Sequence, residues 1–241
     1  MNVNNQQISA EEFSSTADIY FSENKNQEAI QCYLHSIFLK RVNPQAYKGL
    51  GKAYRSLKKF DKAIISLEKA KNADSFDAEI YSELGICYLA KGEFHLAMKN
   101  LIQSIKLAPN NTDTQIQLAV AHEIIGEEDM AVQIYQKIME TNPDCEKAYI
   151  QKATLLIQLE LYSDAICVFK DILELNKKYY RSYLGIAICL DKLGETQRAK
   201  RYYKKYLKFM PDGVNKNNVI KRLANIPNFE TKHNNFLKIV E

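Results

Sequence analysis

The 241-residue sequence predicts an all-α solenoid of six helix hairpins. Three observations carry that prediction. The first is a period. "GLGKAYRSLKKFDKAI" at 49–64 and "ELGICYLAKGEFHLAM" at 83–98 align at an offset of 34. The same offset divides the chain into six blocks without insertion or deletion: 10–43, 44–77, 78–111, 112–145, 146–179 and 180–213. The second is an alanine at the twentieth position of every block: Ala29, Ala63, Ala97, Ala131, Ala165 and Ala199. At an alanine frequency of about a tenth, six hits at one phase arise by chance with a probability of roughly 10⁻⁶. The third is spacing. Positions 4, 8 and 11 share one face of a first helix, and positions 20, 24 and 27 share one face of a second. With only 8 Gly and 5 Pro, turns are few or short, which favours helices over a many-stranded sandwich.

The elements follow in chain order. Residues 1–9 are a polar lead, expected to be poorly ordered. In five blocks the first helix carries an aromatic at position 4 (Phe13, Tyr47, Tyr81, Tyr149 and Tyr183), and block four has Gln115 there. Position 8 is always small: Ala17, Gly51, Gly85, Ala119, Ala153 and Ala187. Position 11 is Tyr20, Tyr54, Tyr88, His122, Leu156 and Leu190. The second helix presents a large apolar residue at position 24: Tyr33, Leu67, Leu101, Tyr135, Phe169 and Tyr203. Small residues at 8 and 20 let the two helices approach closely, and the large ones fill the space beside them. Pro109, Pro143 and Pro211 stand at position 32, where the second helix must stop. Beyond the sixth block, 214–241 is a C-terminal capping segment. Val219, Ile220 and Leu223 read as one amphipathic helix ending near Pro227. "NFETKHNNFLKIVE" follows, with Phe229, Phe236, Leu237 and Val240. That tail caps the last block, reaches into a groove of its own chain or a neighbour's, or stays loose.

The pattern Y-x2-L-G-x2-Y at Tyr47, Leu50, Gly51, Tyr54, repeated at Tyr81, Leu84, Gly85, Tyr88, with A-x3-large and then Pro, resembles the tetratricopeptide repeat. Tyr or Phe replaces the family's tryptophan. The proline is missing from blocks one, two and five, and blocks four to six lack the L-G pair. The resemblance implies a right-handed superhelix whose first helices line a concave side at positions 2, 5, 6, 9, 12 and 13. It implies a scaffold, adaptor or co-chaperone that binds a peptide or amphipathic helix in that groove. On this frame the groove changes character along the chain. Glu11, Ser14, Ser15, Asp18 and Phe21 give a mildly acidic end. Lys48, Lys52 and Arg55 make a basic step. Ile86 and Leu89 follow beside Glu79 and Glu83, then Ile116, Val120, Ile124, Ile150, Ile157, Leu184 and Ile188. Such an apolar run provides a driving force of about 25 cal/mol per Å² buried by an external partner. Superhelical coiling or the chain's own tail is the other reading of what covers it. A chaperone-type carboxylate clamp is not expected, because Glu83 and Asp113 occupy positions where the family's clamp needs neutral or basic groups. Pilus-assembly lipoproteins of similar design need a lipidated Cys near the N-terminus, and the first here is Cys32.

Composition narrows the classes further. The five cysteines are scattered and odd in number, so we expect reduced thiols in a cytoplasmic protein. No signal-like leader or membrane-length apolar run is present, and membrane association is not expected. His122-Glu123 begins like H-E-x-x-H, but the sequence is HEIIG, and His122 falls at a packing position. Neither a phosphate loop nor a nucleophile with a recognisable partner occurs, so no catalysis, metal or cofactor is expected. The net charge of +4 is uneven: residues 192–222 carry ten basic and two acidic side chains. Lys200, Arg201, Lys204, Lys205 and Lys208 form a basic face opposite the packing tyrosines Tyr203 and Tyr206. It reads as a solvated face, an acidic-protein contact or an RNA contact. The sequence leaves the oligomeric state open.

Overall fold

The computed structural model describes residues 9–210 and 215–226. The expectations for residues 1–8, Pro211, Pro227 and the tail at 228–241 lie outside them. The described residues are helical throughout, in two compact units divided after Ala131. The unit up to Ala131 contains α1 (Ala10–Ser22), α2 (Asn26–Leu39), α3 (Pro44–Ser56), α4 (Phe60–Ala73), α5 (Ala78–Lys91), α6 (Phe94–Leu107) and α7 (Thr112–Ile124). The division falls within α8 (Glu128–Thr141). The second unit continues with α9 (Glu146–Gln158), α10 (Tyr162–Leu175), α11 (Tyr180–Lys192), α12 (Thr196–Phe209) and α13 (Lys216–Ala224). Within the units, α1/α2, α3/α4, α5/α6, α9/α10 and α11/α12 pack as antiparallel pairs, each second helix also packing on the next first helix.

Local chemistry sets these boundaries. In the first unit every first helix has a polar N-cap. Ser9 forms a capping box with Glu12, and Asn43, Asp77 and Asn111 each accept a backbone N–H. Ser9 therefore belongs to α1 rather than to a disordered lead. In the second unit Cys145 and Tyr179 stand at the equivalent position without a side-chain cap. The turn between first and second helix is three residues long, or two (Gly92-Glu93) between α5 and α6, and contains one left-handed residue every time: Asn24, Lys58, Gly92, Gly126, Glu160 and Gly194. Lys58 (φ 58°) and Glu160 (φ 61°) hold a conformation that glycine adopts without Cβ strain. Lys58→Gly and Glu160→Gly should each raise unfolding stability by about 0.5–1 kcal/mol in denaturant melts. No gain in either variant would show that the turns are unstrained.

The pair interfaces follow the sequence logic. Ala17, Ala29, Ala53, Ala63 and Ala97 are fully buried, as are Leu67, Leu101 and Ala199. A Cβ on Gly51 would lie 2.5 Å from Leu67 Cγ, and one on Gly85 2.6 Å from Leu101 Cγ. Buried hydroxyls bond within blocks. Ser36 donates to the Ala10 carbonyl and accepts from Asn43, and Ser104 donates to the Ala78 carbonyl. Ser182 lacks such a partner: its Oγ is buried without a hydrogen bond. Its counterpart in block four, Thr114, bonds to Ser82. Ser182→Ala should be neutral or stabilising by up to about 1 kcal/mol, because it removes an unpaired buried polar atom. A loss of more than that in a thermal melt would mean that the hydroxyl is bonded.

Candidate partner-binding surface

In the first unit, the first-helix face opens on charge. On α3, Lys48, Lys52 and Arg55 sit about one turn apart. The start of α5 offers Asp77, Glu79 and Glu83. The two sets form a ladder: Lys48 to Asp77 (2.8 Å) and Glu79 (2.9 Å), Lys52 to Glu79 (2.5 Å), and Arg55 to Glu83 through Nε (2.5 Å) and Nη2 (3.2 Å). Burial alone would raise the Glu79 carboxyl, but Lys52 and Lys48 outweigh it and hold it below the usual range. Burial likewise pulls Lys48 down, and Asp77 and Glu79 more than compensate. The three cations expected to face a partner are therefore engaged by the protein's own carboxylates. Each rung is partly solvated and worth up to about 1 kcal/mol. From the sequence Glu79 and Glu83 stand beside Ile86 and Leu89, and their pairing with the cations of α3 is not apparent. The available signal was the sequence separation of each pair, 29, 27 and 28 residues, which brings opposite charges to facing turns of successive first helices.

Beside the ladder, α1 and α3 enclose a polar cleft of about 340 Å³ floored by Tyr33 and Gly49. Tyr33 donates its hydroxyl to Asp18 (2.5 Å), and the Lys52 ammonium lies 5.9 Å from the Phe21 ring centre. The face becomes apolar on α5 and α7. Ile86, Leu89 and Val120 are half-buried, and Ile124 is 50% exposed. Ile116 does not belong with them. It is only 1% exposed, where α7 packs on both α5 and α6 and the nearby Thr114 hydroxyl donates to Ser82 of α5. His122 is buried, with Nδ1 2.7 Å from Glu127 Oε2, as its packing position implies.

In the second unit Ile150, Ile157 and Leu184 are half-buried and Ile188 is 38% exposed. Leu184 and Ile188 line a cleft of about 220 Å³ with Tyr203, Val219 and Arg222. One side of it is α13, which buries Val219 but leaves Ile220 exposed. Arg222 holds α13 in place by donating to both oxygens of Asp191 on α11 (2.6 and 2.9 Å), and the Tyr203 hydroxyl donates to the same carboxylate (3.0 Å). The Arg222 contact, aided by Tyr203 and opposed by burial, lowers the Asp191 pKa. A lowered folded pKa contributes stability that is complete above the ordinary carboxylate range and is lost as pH falls through the depressed value. Asp191→Asn should therefore loosen α13 at neutral pH by about 1–2 kcal/mol and flatten its acid dependence. Amide hydrogen exchange in α13 reads this; unchanged protection would show that Val219 packing alone docks the helix.

The basic face differs from its expected form. Tyr203 and Tyr206 are buried as expected. Lys205, however, reaches back over the rings of Tyr183 (5.7 Å) and Tyr202 (5.1 Å), and Lys208 over Phe209 (6.0 Å). Lys200 is half-buried, and Arg201 and Lys204 are exposed. Tyr183 and Phe209 also stack on one another (5.5 Å). The aromatic surface that would stack on bases is thus partly taken up by the protein's own lysines and rings.

Burial pushes the Cys87 thiol up to about 12 and the Cys189 thiol up to about 11, which favours the protonated form of both at neutral pH. Among the described residues all five cysteines are free, no group of three His, Cys, Asp or Glu gathers as a metal site, and no helix is long and apolar enough to cross a membrane.

Family profiles described as TPR repeat or tetratricopeptide repeat match residues 17–57, 44–77, 78–111 and 181–212. Among curated proteins, DnaJ homolog subfamily C member 3 of Bos taurus is 24% identical over 210 residues, covering 80% of this chain and 41% of its own length. BBSome complex member BBS4 of Bos taurus is 26% identical over 189 residues, covering 77% of this chain and 36% of its own. The chain thus spans about two fifths of the length of these relatives. Among solved structures, the C-terminal part of a TPR repeat-containing protein from Cytophaga hutchinsonii superposes with a TM-score of 0.70 at 19% identity, over 90% of this chain and 96% of that one, a likeness of fold.

Proposed function

Since the chain belongs to the tetratricopeptide repeat family, we propose that it is a non-catalytic scaffold, adaptor or co-chaperone that holds another protein on its first-helix faces. The observation that carries this reading is the placement of aliphatic side chains there. Ile86, Leu89, Val120 and Ile124 in the first unit, and Ile150, Ile157, Leu184 and Ile188 in the second, stay at least partly open to solvent. Helices that bury their other apolar positions leave such residues open where a further surface completes the packing. The occupant these residues suit is a helix or extended segment with regularly spaced apolar side chains. The charge ladder beside them is self-neutralised, so it sets register and excludes poorly matched partners rather than supplying net attraction. One relative is by name a member of a multiprotein complex and another a DnaJ homolog, which supports an assembly or chaperone-linked role.

The competing reading is an acidic-protein or RNA contact on the basic face, through the exposed Arg201 and Lys204. Capture from the native extract at low and high salt separates the two. Wild type would run beside Val120→Glu/Ile124→Glu and Arg201→Glu/Lys204→Glu, each shown to be folded by circular dichroism. The apolar reading expects a protein retained at high salt and lost by the first variant. Material released by salt and lost only by the second variant would favour the basic face.

A further inference from the structure

The second-helix side of the first unit has its own cleft, of about 590 Å³, between α4 and α6 with α5 beneath. Its floor includes Tyr81 and Tyr88, its walls include the apolar Leu96 and Ile102, and three lysines surround it: Lys71, Lys99 and Lys106. Lys71 is paired with Glu68. Lys99 and Lys106 are exposed and make no ion pair among the described residues.

The repeat gives a comparison. In three of the five blocks with an aromatic at position 4, position 26 of the second helix covers that ring. His35 stacks on Phe13 (5.4 Å between centres), Lys69 lies over Tyr47 (5.5 Å), and Lys205 lies over Tyr183 (5.7 Å). In block five position 26 is the acidic Asp171 beside Tyr149, and in the third block it is the neutral Gln103, with neither a cation nor a ring over Tyr81 among the described residues. The Tyr81 hydroxyl is fixed by donating to the Ser75 carbonyl. The cover found in blocks one, two and six is therefore missing over this cleft, and the lysines around it would repel a cation from outside.

We propose that this cleft binds a short acidic peptide segment, an apolar or aromatic side chain of which rests on Tyr81 while flanking carboxylates pair with Lys99 and Lys106. A peptide fits better than a nucleic acid. Residues 1–131 carry 14 Lys and Arg against 17 Asp and Glu, so the unit has no basic track for a continuous phosphate backbone. The positive charge is local and matches a few carboxylates. The site lies apart from the first-helix faces and stands whether or not they bind a partner.

The test uses the full chain and a fluorescent, C-terminally amidated peptide with one phenylalanine flanked by glutamates, read by anisotropy. Lys99→Glu/Lys106→Glu should weaken binding about tenfold or more, whereas Lys58→Glu/Lys59→Glu, an equal charge change in the α3–α4 turn, should leave it within about twofold. Gln103→Lys is the sharper variant. It adds a positive charge but supplies the cover seen over Tyr47 and Tyr183, so it should weaken binding by about threefold or more. Tighter binding by Gln103→Lys would reduce the effect to general electrostatics and overturn the site. So would equal loss in both charge-reversal variants, equal affinity for the peptide with glutamine in place of glutamate, or tighter binding of a single-stranded RNA oligonucleotide of the same charge. Ile124→Glu should leave peptide affinity unchanged.

Discussion

Gly85→Ala should lower unfolding stability by about 2 kcal/mol, although alanine is the better helix former. The propensity gain is about 0.5–1 kcal/mol. Against it, the new Cβ would lie 2.6 Å from Leu101 Cγ and 2.7 Å from its Cδ2, with the Ala97 carbonyl oxygen at 3.3 Å. Leu101 is fully buried and has nowhere to retreat, so the cost falls toward the upper part of the 1–3 kcal/mol typical of overpacking. The six blocks indicate the remedy. Glycine at position 8 occurs with leucine at position 24 (Gly51 with Leu67, Gly85 with Leu101), and alanine at 8 with an aromatic at 24 (Ala17 with Tyr33, Ala119 with Tyr135, Ala153 with Phe169, Ala187 with Tyr203). A flat ring passes beside a methyl group where a branched Cγ collides with it. Gly85→Ala/Leu101→Tyr should thus recover at least half of the loss in a denaturant melt. A double variant as unstable as the sum of its parts would refute this matching rule.

The same pairing bears on what could be read from the sequence. Helix positions were legible because a fixed 34-residue period and alternating small and large residues leave little choice of face. The rule coupling positions 8 and 24 was in the sequence too, but only the contact geometry shows which atoms meet. Position 6 makes the point again. The family frame turns it toward the groove, yet a Cβ on Gly49 would strike the Tyr33 ring of the preceding block, and one on Gly185 the Phe169 ring. In those blocks position 6 is packing surface.

Charge on the apolar first-helix face should have the second large effect. Val120→Glu/Ile124→Glu and Ile157→Glu/Ile188→Glu should each weaken a purified partner by about a hundredfold, roughly 2.7 kcal/mol, since burying an unpaired carboxylate costs several kcal/mol. Ile124 and Ile188 are open enough that the folded state tolerates the change. Titration calorimetry reads the affinity, and an effect below about threefold in both variants would mean that the partner does not touch these residues.

Of the candidate surface, the aliphatic run was legible from position alone, and the charges were not. Lys48, Lys52 and Arg55 look like ligands until Asp77, Glu79 and Glu83 are seen to occupy them. Ile116 looks like its neighbours, yet it is buried where α7 packs on α5 and α6. Lys205 shares a helix face with Tyr202, one turn back, but its ammonium also lies over Tyr183 of α11. The ladder and the Lys205–Tyr183 contact join different helices, a distance that periodicity within one helix does not encode.

Site-specific photo-crosslinking tests the central claim most directly. A benzophenone side chain would replace Ile124, Ile188, Arg201 or Lys204 in turn, and the complex formed in native extract would be irradiated. Partner adducts should form from positions 124 and 188, with little from 201 and 204. Adducts from 201 and 204 alone would place the partner on the basic face and contradict that claim.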